Sequence, residues 1–411
     1  MKARLIVVFT LAACSSPEPL IVVGAGPAGL AAAIEAADER DVLVLEATER
    51  LGGSALWATG VTVLPVQPAA HPHLGRLAPL GVDWLTELGV PFGPTSAPAP
   101  RGFRALQPLG GGPQLVSVLV EKAREKGVEF KTHCAVAALS WVDGWTVDAG
   151  GCGVYRAPSV VVATGGILGD DAARQAWLGE DTPRLSPKTT APSGLSLTVS
   201  VNAARFDEGR VLWFDHISPV GGVGRTLAAP PSTIALSASG DRIQGALRGW
   251  GPGQKGVEWA IVSGSERSRT QLFDIDRQGF VSLADHLAQG GGKEAVDVAE
   301  IAVYTGIPEE KLEAVLRRRT PRGPGPLPDG PHAVLRLQRA PAKQLGGLKT
   351  DARGRVLDAS NRPIPGLYAA GELTGFHGLH AGQTPVDSTM VVGAVVTGRI
   401  AGKGATGAIL E

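Results

Sequence analysis

Leu20-Ile21-Val22-Val23-Gly24-Ala25-Gly26-Pro27-Ala28-Gly29, running on through Leu30 to Ala37, decides how this 411-residue chain is read. Four apolar, mostly β-branched residues predict a short buried strand, and the Ala-rich run after the glycines predicts a helix. Between them stands Gly-x-Gly-x-x-Gly, and Val42 to Leu45 form a second strand ending on the acid Glu46. In a chain with 56 glycines the motif alone is weak evidence. Strand before, helix after and an acid about 20 residues on make it a dinucleotide-binding turn. Gly24 permits the tight turn, Gly26 lets the backbone approach a pyrophosphate, and Gly29 lets helix and strand pack closely. Pro27 and Ala28 stand in this turn among the residues read as holding the cofactor, and the N–H groups and partial positive charge of the helix that follows suit phosphate. Glu46 is placed to accept hydrogen bonds from the adenosine ribose.

The composition narrows the rest. Length alone predicts two or three structural units with a large core. Thirty-nine basic and 39 acidic side chains leave no net charge, which argues against a nucleic-acid partner. With 44% hydrophobic and 19% charged residues the chain is not disordered. Cys14, Cys134 and Cys152 are too few for a disulfide scaffold, a four-Cys zinc site or an iron–sulfur centre, and no metal site is read.

Working outward, residues 79–90 and 114–127 read as amphipathic helices, with Leu115, Leu119 and Ala123 on one face of the second. Gly127 opens a strand series to Tyr155, in which Trp141 and Trp145 flank an Asp143-Gly144 hairpin turn and are read as core or strand-pair residues. Residues 206–330 lose the βαβ rhythm and lead to a helical pair at 294–304 and 308–318. Thr320 to Pro331 is a Pro/Gly linker. Gly110-Gly111-Gly112 and Gly290-Gly291-Gly292 are read as loops. No second Gly-x-Gly-x-x-Gly follows a strand, so electrons are expected to pass to or from a separate partner, a quinone or an electron-transfer protein.

Four further fragments, in order, carry a family resemblance. They are Leu51-Gly52-Gly53-Ser54, then Ser159 to Gly166 ending Ala163-Thr164-Gly165-Gly166, then Gly366 to Gly371-Glu372, and last Asp387-Ser388-Thr389-Met390 opening an apolar helix to Gly402. Together with the glycine turn they resemble the FAD-binding half of the fumarate reductase and succinate dehydrogenase flavoprotein superfamily, especially flavocytochrome-c-type reductases. The resemblance implies an α/β fold: a Rossmann-like FAD-binding domain, residues 20–205 and 331–411, with an α+β capping domain inserted at 206–330. It implies FAD held by these fragments, with NAD the alternative dinucleotide.

The resemblance also locates a catalytic pattern and its gaps. The family's substrate histidine has its counterpart at His216 in Phe214-Asp215-His216-Ile217-Ser218-Pro219, or else His216 is a loop residue bonded locally. The proton-donating arginine corresponds to Arg248, without the family's Phe and Glu, and a solvent-facing arginine is the alternative. The His-His-x-Met-Gly-Gly run becomes Ala342-Lys343-Gln344-Leu345-Gly346-Gly347. The Asn-Arg pair becomes His380-Ala381, after His377-Gly378. His216, Arg248, Lys343, His377 and His380 are therefore the candidate catalytic residues. The clamp for a dicarboxylate is missing. An FAD-dependent oxidoreductase acting on a small organic substrate other than fumarate is the leading reading. A flavin-binding electron-transfer protein without turnover, or an oxidase using O₂, are the alternatives.

Met1 to Cys14 reads as an address: Lys2 and Arg4, an apolar run from Leu5, then Leu11-Ala12-Ala13-Cys14. It is too short to span a bilayer. It resembles a bacterial lipoprotein signal, with residues 1–13 removed, Cys14 lipidated and 14–19 a tether. The expected location is the membrane surface on the exported side.

Overall fold

The computed structural model describes residues 18–70, 75–76, 78–95, 102–179, 181–228, 230, 232–243, 256–277, 279–318, 327, 331–378 and 389–410. The Met1–Cys14 signal, Arg248, His380, Ala381 and Ser388, with most of the 320–331 linker, lie outside the described residues. Among the described residues no helix is long and apolar enough to cross a membrane.

The main sheet comprises β1 (Leu20–Val23), β2 (Val42–Leu45), β3 (Glu129–Lys131), β4 (Val160–Val162), β5 (Arg355–Leu357) and β6 (Pro363–Ala369). Their spatial order is β5-β6-β4-β1-β2-β3. β1 pairs in parallel with β2 and β4, β4 with β6, and β2 with β3, while β5 is antiparallel. Both faces of β1 are covered, which is why it reads as a continuous apolar run. Leu20 and Val22 pack in one core cluster with helix α1 (Pro27–Ala36), helix α2 (Gly111–Glu125) and helix α3 (Met390–Ala405). Ile21 and Val23 pack in the other, with Leu139, Trp145 and Val147.

α1 and α3 meet through small residues. A Cβ at Gly398 would lie 2.1 Å from the Ala28 carbonyl oxygen, and one at Gly402 2.4 Å from that of Ala32. Glycine at both positions brings the helix axes within backbone contact. Glu35 secures the pair, accepting from Arg399 and Lys403.

Leu115, Leu119 and Ala123 are buried on α2 as their spacing predicts. α2 starts at Gly111, so Gly111 and Gly112 are its first turn and not a loop. The reason is close packing: a Cβ at Gly112 would sit 2.0 Å from the Ala55 carbonyl oxygen.

The Asp143-Gly144 hairpin forms, with φ of 53° and 137°, inside an antiparallel meander of Ala138–Trp141, Trp145–Asp148 and Val154–Ala157. Trp145 is fully buried and donates its indole N–H to Pro365 at 3.0 Å; Trp141 stacks edge-on against it at 5.3 Å. Cys134 and Cys152 form a disulfide across this region. Counting three cysteines against a scaffold left this single bridge unread.

The region expected as the cap contains two antiparallel sheets. One orders Gly279–Ser282, Gln271–Asp274, Val223–Ala228, Val211–Val220 and Gln338–Gln344; the other orders Ile234–Leu236, Trp259–Val262, His332–Arg336 and Lys293–Ala295. Sheet pairing thus ties Gln338–Gln344, expected in the second part of the FAD-binding domain, to Val211–Val220 of this region. The helical pair is Val298–Thr305 and Glu309–Leu316, capped at its start by Asp297 accepting from the Glu300 N–H. Residues 294 and 295, expected as the start of the first helix, belong instead to the edge strand Lys293–Ala295, because Asp297 is the helix N-cap.

Candidate dinucleotide and redox site

The loops singled out above converge at the carboxyl ends of the parallel strands. β1 has β2 on one side and β4, reached after a long crossover, on the other, so its end opens the crevice where dinucleotides bind in such sheets.

The three motif glycines have different physical reasons. Gly24 has φ +101°, and a Cβ there would meet the Ala163 oxygen at 2.5 Å. A Cβ at Gly29 would lie 1.9 Å from the Gly24 oxygen. Both are demanded by the protein's own packing. Gly26 is not: its φ of −71° suits any residue, and a Cβ on it would meet nothing within 4 Å. The space before it is a cradle that a side chain would fill and a pyrophosphate fits. Gly26 is the N-cap of α1, with no side-chain cap and Pro27 at the first turn, which leaves the helix N-terminus to an anion.

The second glycine loop closes on the first. Gly52 donates its N–H to Ala25 at 2.8 Å, and a Cβ on Gly53 would lie 3.3 Å from the Gly26 Cα. Ser54 follows in the short helix Gly53–Trp57. Glu46 is buried with both oxygens held, one by the Ala25 N–H at 2.8 Å and the other by the Thr48 N–H and hydroxyl. The carboxylate is thereby fixed beside the glycine turn, and its spare lone pairs remain available to a ribose.

Thr164 accepts from the Gly194 N–H at 2.9 Å, and Gly165 takes a φ of +79°. Gly166 lies under Glu372, whose Oε1 would be 2.7 Å from a Cβ there. Gly371 has φ +75°, donates to the Thr397 hydroxyl on α3 and accepts from Thr374. Gln344 joins these loops to the cap. It is fully buried, donates its backbone N–H to Glu372 at 2.8 Å and its amide to Gly346, and accepts from the Ile167 N–H at 3.0 Å. Gln344, Thr374 and Thr397 were not singled out as site residues in the sequence, and no local pattern marks them.

Lys343 adjoins Gln344 at the end of its strand. Its Nζ is 3.7 Å from Glu372 Oε2, so an acid already faces this cation. His377 lies in Gly375–Gly378, a turn with φ of 54°, 56° and 58° at Gly375, Phe376 and His377. Consecutive left-handed non-glycine residues are strained by about 1–2 kcal/mol each, and contacts hold them here. Phe376 is buried with Leu212, Leu345 and Met390, while His377 Nδ1 shares a 2.8 Å hydrogen bond with Thr350. Burial pushes the His377 imidazole below its ordinary range, against an opposing pull from Asp351.

The backbone of His216 lies in a bulge. Pairing with Gln338–Gln344 shifts between Phe214, opposite Ala340, and Ile217, opposite Gln338, so Asp215 and His216 share one partner position. Thr389 stands at the N-cap position of α3, and Met390 begins the helix. Among the described residues no group of three His, Cys, Asp or Glu side chains is placed to hold a metal.

A second buried polar cluster lies in the cap. Arg225 pairs with Asp274 at 2.7 Å and donates to His286 Nδ1 at 3.1 Å and to Gln289; His286 Nε2 meets the Ser218 hydroxyl at 2.8 Å, and Ser218 donates to the Gly291 carbonyl. Every polar contact in this chain of bonds has a partner. Burial and Arg225 push the His286 pKa down to about 4, so this histidine is a neutral structural link.

The FAD binding domain family matches residues 20–76 and 74–384. The chain belongs to that family and is an FAD-dependent oxidoreductase. It is similar to the fumarate reductase (cytochrome) of Shewanella frigidimarina, 25% identical over 93% of this chain and 76% of the relative. A KsdD-like steroid dehydrogenase of Mycobacterium tuberculosis is 26% identical over 94% and 95%. Against the NADH:fumarate oxidoreductase of Klebsiella pneumoniae identity is 24% over 93% of this chain, which spans only 47% of that protein. In fold it is similar to 3-ketosteroid delta1-dehydrogenase from Sterolibacterium denitrificans, with TM-score 0.75 and 16% identity over 96% of this chain and all of the other. The open form of a flavocytochrome c3 fumarate reductase gives TM-score 0.67 at 21% identity, over 96% and 79%.

Proposed function

We propose that this oxidoreductase transfers hydride to or from a small, neutral, carbonyl-bearing organic molecule, not fumarate. FAD, when bound, supplies the N5 atom that gives or takes the hydride. The observation that carries the reading is the Lys343–Glu372 pair. A dicarboxylate needs fixed cations at both ends. Here one candidate cation faces an acid, and Ala381 stands where the resemblance calls for arginine. The steroid dehydrogenase relative, 26% identical over 94% of this chain, supports an uncharged substrate. His216 and His377, with Arg248 and His380, are the residues proposed to bind the substrate and move its proton.

The deciding experiment is anaerobic photoreduction followed by reoxidation with a panel. Fast reoxidation by an α,β-unsaturated ketone, and not by fumarate, is the expected result. Reoxidation by a quinone or a redox protein alone would make the chain an electron carrier, and peroxide release with O₂ would make it an oxidase.

The chain is further proposed to be an exported lipoprotein held to the membrane through Cys14, with electrons exchanged with a separate redox partner. The Leu11-to-Cys14 pattern supports this, and so does the Cys134–Cys152 disulfide, a bond that persists in oxidising compartments. Cys14→Ala is expected to leave the membrane fraction; a variant that fractionates and processes like wild type would refute the anchor.

A further inference from the structure

The amino-terminal edge of the main sheet carries an exposed apolar rim next to the first described residues. Glu18 lies beside Arg156, with 4.0 Å between Oε1 and Nε, and Arg156 in turn donates to the Val142 carbonyl at the hairpin tip. On that tip Trp141 is 41% and Val142 71% exposed. The hairpin tip is tied to the proline segment from below: Trp141 stacks on the buried Trp145, Trp145 donates to Pro365, and Gly366 packs directly on the Pro158 carbonyl. Pro158, Pro363 and Pro365 are themselves exposed. All of these stand at the starts of β4 and β6 or on the hairpin beside them, opposite the strand ends that hold the glycine loops.

From this we infer that the hairpin tip and its proline rim form a membrane-docking surface whose occupant is the bilayer interface. The inference rests on the proposed Cys14 anchor. Cys14 is four residues from Glu18, a reach of at most about 14 Å, so a lipid on Cys14 brings this edge to the membrane. Tryptophan with an apolar body and a polar N–H is the side chain suited to that interface. Orientation follows. The four-residue strand β1 carries the chain about 13 Å from the docked edge to the glycine turn. The flavin crevice and cap therefore face away from the bilayer, and the substrate arrives from water.

The test uses the native lipidated full chain in phosphatidylglycerol-containing vesicles. An environment-sensitive fluorophore is attached at Val142→Cys or, as control, at Val303→Cys, an 81% exposed position on the cap helix Val298–Thr305. Cys134 and Cys152 are bonded to each other and do not compete for label. The expected result is a blue shift and loss of emission to nitroxide lipids at position 142, with neither at 303. Anchored protein with an unshifted probe at 142, or with both probes shifted, overturns the docking surface and leaves the Cys14 anchor standing. Protein that fails to bind vesicles at all overturns the anchor and the docking surface together.

Discussion

Gly26→Ala and Gly29→Ala, three residues apart, are expected to fail in opposite ways. At Gly26 the backbone angles of −71° and 177° suit alanine, and its methyl group meets nothing within 4 Å. The apoprotein should be unchanged or gain about 0.4–1 kcal/mol from the stiffer unfolded chain. The methyl group instead occupies the approach to the pyrophosphate. If it removes two N–H contacts to phosphate at about 1.5–3 kcal/mol each, FAD affinity falls by about two to four decades. At Gly29 the methyl group would stand 1.9 Å from the Gly24 oxygen, so turn and helix must separate. Overpacking of this kind costs about 1–3 kcal/mol even without ligand. Flavin absorbance per protein and thermal melts of the two apoproteins separate the cases. A Gly26→Ala protein with full flavin content would refute the cradle, and a Gly29→Ala apoprotein melting like wild type would refute the packing argument.

Three other outcomes follow from specific contacts. His286, held neutral with its pKa near 4 against 6.5 when unfolded, lets the unfolded chain bind a proton that the folded chain does not. Its contribution is complete above pH 6.5 and is lost as pH falls towards 4, about 3 kcal/mol in all; denaturant melts across that range should show the slope, and His286→Gln should flatten it. Reducing the Cys134–Cys152 bond, which closes an 18-residue separation, should cost about 3 kcal/mol, read as a lower melting temperature with the flavin spectrum retained. Fumarate turnover with an artificial donor should be about two to four decades below that of a site with both cationic clamps; robust turnover would refute the reading of Lys343 as already faced by Glu372.

What was legible in the sequence is what depends on neighbours along the chain. Leu20 to Ala37 shows its strand, turn and helix because strand burial, glycine spacing and helix content are all local. Asp143-Gly144 shows its hairpin for the same reason. Gln344 was not legible, since its three partners, Ile167, Gly346 and Glu372, are brought together by two sheets and a cap. Nor does anything in Phe376-His377 announce positive φ, which is imposed by the burial of Phe376 and the bond to Thr350. The Ser218–His286–Arg225 cluster joins three segments, each unremarkable in sequence. The bulge at His216 is a register shift, visible only once the partner strand is known.

The backbone contact between α1 and α3 has a consequence for the order in which the protein is made. α1 precedes its covering surface, Met390–Ala405, along the chain, with the whole of the inserted region between them. The cap's two clusters draw only on residues 227–337, so the cap is complete on the nascent chain while α1 still lacks its neighbour. The crevice for the flavin is consequently completed only once α3 has been made. A chain stopped before Met390 would carry a finished cap beside an open half-core, unable to keep its cofactor.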